Sequence, residues 1–170
     1  GRNSPLVSAL GRLASFLYRK ADHIVTVTDA MRARLVESQD IREEMISVVG
    51  AGVDVDLFSP QGDRFDIPSP DSKDGVFVVS YVGTHGVAQG LEQVLDAADL
   101  LKDRAPDVMF LLAGEGARKE HLKAAATSRQ LRNVRFIDQL PLEDVPSLLR
   151  ASDVCLAILR DDSLFRTVIP

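Results

Sequence analysis

The stretch Val76–Leu101, VFVVSYVGTHGVAQGLEQVLDAADLL, carries the pattern from which the architecture follows. A short apolar strand, Val76 to Val82 with Ser80 as its one polar residue, enters Gly83-Thr84-His85-Gly86, and an amphipathic pattern follows with Leu91, Val94, Leu95, Ala98 and Leu101 on one stripe. The period changes from that of a buried strand to that of a helix. The reading is therefore strand 76–82, glycine loop, helix 87–103. Strand, tight turn and helix start in that order suit a phosphate, because first-turn amides point outward and the dipole adds about half a positive charge. The loop nonetheless carries no Lys and no Arg. Its spacing, G-x-x-G-x-x-x-G, is neither the dinucleotide fingerprint G-x-G-x-x-G nor a P-loop. Taken alone it fits a plain tight turn as well as a phosphate site.

The same alternation runs toward the carboxyl end. Strand 108–113 leads to helix 117–128, strand 134–137 to a short helix at 145–151, and strand 154–159 comes last. These strands are continuous apolar runs, so both faces of their sheet are expected under helices, as in a doubly wound α/β fold. Toward the amino end, residues 59–75 carry three prolines, two glycines and four aspartates, which is linker composition. Before them, strand 23–28, helix 30–38 and strand 45–50 form a parallel βαβ unit. An opening helix, 5–20, puts Leu6, Leu10, Leu13, Phe16 and Leu17 on one face.

Composition limits the function. The 170 residues are 45% apolar and 26% charged, with a net charge of −5. A globular chain results, without the basic field of a nucleic-acid binder. The one cysteine, Cys155, permits neither a disulfide framework nor a zinc site, and reads as a small core side chain. No apolar run approaches the roughly 18 residues that span a bilayer, and no signal peptide opens the chain. A cytoplasmic location is expected. Acidic pairs such as Asp161-Asp162 lack ligand periodicity, so no metal is expected.

In a parallel sheet the ligand lies beyond the carboxyl ends of the strands. Four loops leave those ends: 83–86, 113–120, 138–144 and 160–166. His85 could donate to a phosphate oxygen or a sugar hydroxyl, or stand as a solvated loop histidine. Glu115, between Gly114 and Gly116, is either a surface carboxylate or an acceptor for ribose hydroxyls. Arg118 and Lys119 open a helix where the dipole disfavours cations, which an anionic ligand or simple solvation would explain. Arg160 and Arg166 flank the last loop as further phosphate cations. Asp153 is a turn or cap residue. No Ser/His/Asp or Cys/His constellation emerges.

In order, ADHIVTVTDAMRARL, ISVVGAGVDVDLFSP, VVSYVGTHGVAQGLEQVLDAADLL, VMFLLAGEGARKEHLK and NVRFIDQLPLEDVPSLLRASDVCLAIL resemble the retaining GT-B glycosyltransferases of the group 1, family 4 type. The resemblance implies two Rossmann-like domains, of which this chain would hold an incomplete pair. Residues 1–58 would end the acceptor-side domain, 59–74 would be linker, and 75–170 would be the first half of the donor domain. Gly83, Thr84, His85 and Gly86 would face the donor diphosphate. Gly114, Glu115, Gly116, Gln139 and Leu140 would lie beside its nucleotide and sugar, with Arg118 and Arg160 as phosphate cations. The donor would be a nucleotide-diphosphate sugar, with no cofactor, and the acceptor a glycan or a lipid-linked glycan. On this resemblance the full-length enzyme would sit in the cytoplasm, peripherally at the inner face of the membrane, and the fragment would be inactive and prone to self-association.

The departures from the pattern are specific. Many members carry Arg and Lys where this chain has Thr84 and Gln89, and no acid stands near Phe165–Val168, where a paired-glutamate motif would begin. No catalytic residue is therefore assigned. A nicotinamide-dependent dehydrogenase and a non-catalytic Rossmann-like assembly module are the alternative readings.

Overall fold

The computed structural model describes residues 4–67, 75–162 and 165. The chain divides into two compact units, the first made of the described residues up to Gly52 and those from Asp161, the second of Val53–Arg160.

The first unit opens with α1 (Pro5–Lys20), followed by β1 (Ile24–Thr26), α2 (Asp29–Gln39) and β2 (Ile46–Val48). The strands pair in parallel with Ile24 opposite Ile46, so the βαβ expectation holds. Thr28 caps α2, its hydroxyl accepting from the Met31 amide at 3.0 Å. The apolar stripe of α1 lies open, with Leu6, Leu10, Leu13, Phe16 and Leu17 all exposed.

The second unit is a four-stranded parallel sheet in the order β5-β4-β3-β6. Its elements are β3 (Phe77–Val82), α3 (Glu92–Leu101), β4 (Val108–Ala113), α4 (Lys119–Ser128), β5 (Val134–Ile137), α5 (Val145–Arg150) and β6 (Val154–Cys155). This is the 3-2-1-4 half of a doubly wound fold, with its switch point between β3 and β6. Both faces are covered, as the unbroken apolar strands require. Val79, Tyr81, Phe110 and Leu112 pack against Leu91, Leu95 and Ala98 near or in α3 and Leu122 of α4. Val78, Met109 and Leu111 pack on the opposite face with Leu148 of α5. Leu91, Leu95, Leu122 and Leu148 are wholly buried, and each stabilises the unit by about 1.5–3 kcal/mol. Part of the Pro- and Asp-rich stretch is docked here as well. Phe65 and Ile67 join the α5 face, the Phe65 amide donates to the Ser147 carbonyl at 3.0 Å, and Arg150 Nε donates to the Asp63 carbonyl at 2.8 Å.

Three sequence expectations are corrected. The helix expected from residue 87 begins at Glu92, because Gly90 takes φ +62° and the Ala88 carbonyl, which would accept from residue 92 in a helix, accepts from the Arg160 amide at 2.8 Å. The last strand is only Val154–Cys155. Cys155 is exposed rather than core, because β6 is the edge strand and pairs with β3 alone. Asp153 does act at a junction, its carboxylate accepting from the Val78 amide at 2.7 Å and tying β6 to the sheet.

Candidate functional site

The carboxyl ends of β3, β4 and β5 converge on one cavity of about 240 Å³. Gly83, Thr84, Gly114, Glu115, Gln139 and Leu140 line it. Six residues singled out in the sequence thus come together there. Arg118 and Arg160 lie instead on a neighbouring cavity of about 420 Å³, with Val87, Gly90, Glu92 and Gln93. Arg166 lies outside the described residues.

The rim is built by two loops laid backbone to backbone. The Gly83 amide donates to the Ala113 carbonyl at 3.0 Å, the His85 amide to the Glu115 carbonyl at 2.7 Å, and the Arg118 amide to the His85 carbonyl at 2.9 Å. Gly114 (φ +136°) and Gly116 (φ +154°) make this approach possible, since a Cβ on the first would overlap the Gly83 carbonyl and one on the second would meet the His85 backbone. Tyr81 Oη donates to the Thr84 carbonyl at 3.0 Å and pins the loop from below. Among the described residues the amides of Thr84, Gly86 and Val87 have no protein acceptor. They are the groups of this loop left available to an anion.

The His85 ring is completely buried and lies outside the cavity lining. It sits between Tyr81, at 6.0 Å between ring centroids, and Phe136, at 6.3 Å. Neither ring nitrogen has a partner in hydrogen-bonding geometry. Burial pushes its pKa below the usual histidine value, the Lys119 charge adds to the effect, and Glu115 and the Ala113 carbonyl oppose it. Burial favours the neutral ring, and the polar contribution of His85 to the rim is its backbone.

Charge is distributed around this rim rather than on the loop. Arg118 donates twice to Glu92 Oε1, at 3.0 Å from Nε and 2.5 Å from Nη2. Although burial disfavours the Glu92 carboxylate, the Arg118 hydrogen bond and charge, together with a backbone hydrogen bond and the nearby His121, outweigh it and lower its pKa. Arg160 makes no ion pair among the described residues. Among the described residues the most buried lysine or arginine is Lys119, which opens α4. Lys119 is 3% exposed and donates to Glu115 Oε1 and to Asp138 Oδ1 at 2.7 Å. Burial works against its charge, yet the bonds to Asp138 and Glu115 prevail and raise its pKa, while Lys119 lowers that of Asp138. No cluster of three metal-ligating side chains occurs among the described residues.

The family pattern described as Glycosyl transferases group 1 matches residues 63–162, more than half of the chain and nearly all of the second unit. The chain belongs to this family. It is 30% identical over 162 residues to "Probable glycosyltransferase WbjE" of Pseudomonas aeruginosa, covering 95% of this chain and 40% of that protein. It is 29% identical over 161 residues to the 2-deoxystreptamine glucosyltransferase of Streptomyces kanamyceticus, covering 89% of this chain and 40% of the relative. The chain thus spans about two fifths of the length of these relatives. Among solved structures it resembles Anabaena Alr3699/HepE, determined in complex with UDP-glucose, with a TM-score of 0.66 at 23% identity over 85% of this chain and 40% of that one. The likeness places the chain among GT-B folds. Family membership disfavours the dehydrogenase and assembly-module readings. No helix among the described residues is long and apolar enough to cross a membrane.

Proposed function

We propose that the carboxyl rim of β3, β4 and β5 binds the nucleoside diphosphate of an activated sugar, and that the whole protein transfers this sugar to a glycan or lipid-linked acceptor. The observation that carries this reading is the convergence of Gly83, Thr84, Gly114, Glu115, Gln139 and Leu140 on one cavity at the ligand-binding edge of a doubly wound sheet. The diphosphate lies along the Gly83–Gly86 loop, held by the open amides of Thr84, Gly86 and Val87. Gln139 and Leu140, past β5, meet the base. Arg160, free of ion pairs among the described residues, supplies a phosphate cation, whereas Arg118 must first release Glu92. The donor is the only small molecule this chemistry requires. The Anabaena relative's complex with UDP-glucose supports a UDP-sugar as the first donor to try.

Catalysis in such a transferase is placement of the leaving diphosphate opposite the acceptor, with its developing charge stabilised by fixed dipoles. On this reading residues 75–170 belong to the donor domain and residues 1–58 to an acceptor-side domain, with the membrane's inner face as the place of lipid-linked acceptors. Calorimetric titration of the chain with a panel of UDP- and GDP-sugars tests it. Weak binding of one donor class without turnover is expected. Absence of heat with every donor would overturn the binding assignment, and turnover by this chain alone would overturn the division of labour.

A further inference from the structure

The loop facing the proposed diphosphate has no cation, yet two carboxylates stand beside it. Glu115 lines the cavity and is half exposed. Asp138, one residue past β5, adjoins the cavity-lining Gln139. Left alone, this pair would repel a diphosphate: like charges within a few ångströms of a partly enclosed site cost far more than in open water.

Lys119 stands beneath both. Its ammonium donates to Glu115 Oε1 and Asp138 Oδ1, with the Ile137 carbonyl at 3.4 Å. The side chain is buried while its carboxylate partners are 50% and 88% exposed. Ion pairs on open surfaces form between two exposed chains. Here the cation is withdrawn from water and serves two loops at once, the one after β4 and the one after β5. Its charge also reaches the glycine loop, since it helps to keep His85 neutral.

We propose that Lys119 is the positioning residue that makes this rim tolerate a diphosphate: it masks Glu115 and Asp138 from beneath and fixes them at the edge of the cavity. The positive charge missing from the loop is thereby supplied indirectly, by cancelling the negative charge around it. This rests on the reading of the rim as the donor site.

The test compares UDP, UMP and uridine, with the guanosine series alongside, for the wild-type chain, Lys119→Met, Lys119→Arg and the double variant Lys119→Met/Glu115→Gln. Circular dichroism and thermal melts establish that each is folded. Lys119→Met should weaken UDP or GDP binding about tenfold or more, as loss of a charge-assisted bond does, and weaken the bare nucleoside little. Added salt should recover part of the loss, because it screens the exposed carboxylates. Lys119→Arg should retain most of the affinity, and Glu115→Gln in the Lys119→Met background should restore part of it, with Asp138 still unmasked. A purely structural lysine would instead weaken diphosphate, monophosphate and nucleoside alike, and that equal loss would overturn the proposal. If the wild-type chain binds neither diphosphate, the donor-site reading itself fails. If Lys119→Met is folded and binds UDP as the wild type does, only the masking role fails.

Discussion

Gly114 and Gly83 touch backbone to backbone: a methyl group on Gly114 would coincide with the Gly83 carbonyl oxygen. This contact joins the loops after β3 and β4 into one rim. Gly114→Ala must either expel the Gly83 loop or leave the left-handed φ of +136°. It is expected to destabilise the second unit by at least about 1–3 kcal/mol, read as a lower urea midpoint, and to abolish nucleoside diphosphate binding even where the protein stays folded. Unchanged stability would show that the rim is looser than described.

His85 makes the stability of this unit depend on pH. Its folded pKa is depressed by burial, so the unfolded chain takes up the proton first. Stability is full above the unfolded value of about 6.5 and is lost as pH falls from there toward the lower folded pKa. His85→Leu removes two unpartnered buried nitrogens. It should leave stability at pH 8 nearly unchanged or raised and flatten its decline between pH 7 and 5. Urea titrations at several pH values check this, and a wild-type midpoint constant across that range would contradict it.

The Arg118–Glu92 pair is a modest stabiliser. Both side chains are more than a third exposed, so the pair contributes under about 1 kcal/mol. Glu92 has a lowered folded pKa. Its contribution is present above the unfolded carboxylate value and disappears as pH falls through the folded one. Glu92→Gln should therefore cost a few tenths of a kcal/mol at pH 7, a cost that begins to shrink only as pH falls below the ordinary glutamate value of about 4.3 and vanishes below the lowered folded pKa, as measured by paired melts. The same substitution frees Arg118 and should tighten phosphate binding if that cavity takes an anion.

Much of the second unit could be read from the residues. The bounds of β4 and β5 matched because the unbroken apolar run of β4 ends at Gly114 and the short apolar stretch of β5, broken only by Arg135, ends at Asp138. Other features depend on contacts distant in sequence. The start of α3 was missed because the segment after β6 captures the Ala88 carbonyl, an event invisible in a local periodicity. His85 looked like a loop residue, and its burial arises only when Tyr81 and Phe136 close over it. Lys119 looked solvated, since a charged side chain at a helix start gives no sign that loops from two strands will enclose it. The cavity loops, by contrast, follow from topology, since strand ends in a parallel sheet limit the search to a few loops, while Gln139 and Leu140 within them were singled out by the family resemblance.

Amide-resolved NMR of the labelled chain, titrated with UDP and separately with GDP, tests the central claim most directly. The amides of Thr84, Gly86 and Val87 should move first and furthest with the diphosphate, followed by those of Glu115, Gln139 and Leu140, with uridine or guanosine alone sparing the glycine loop. Saturable shifts that leave Thr84 and Gly86 unmoved, or that cluster away from the β3–β5 rim, would contradict the account.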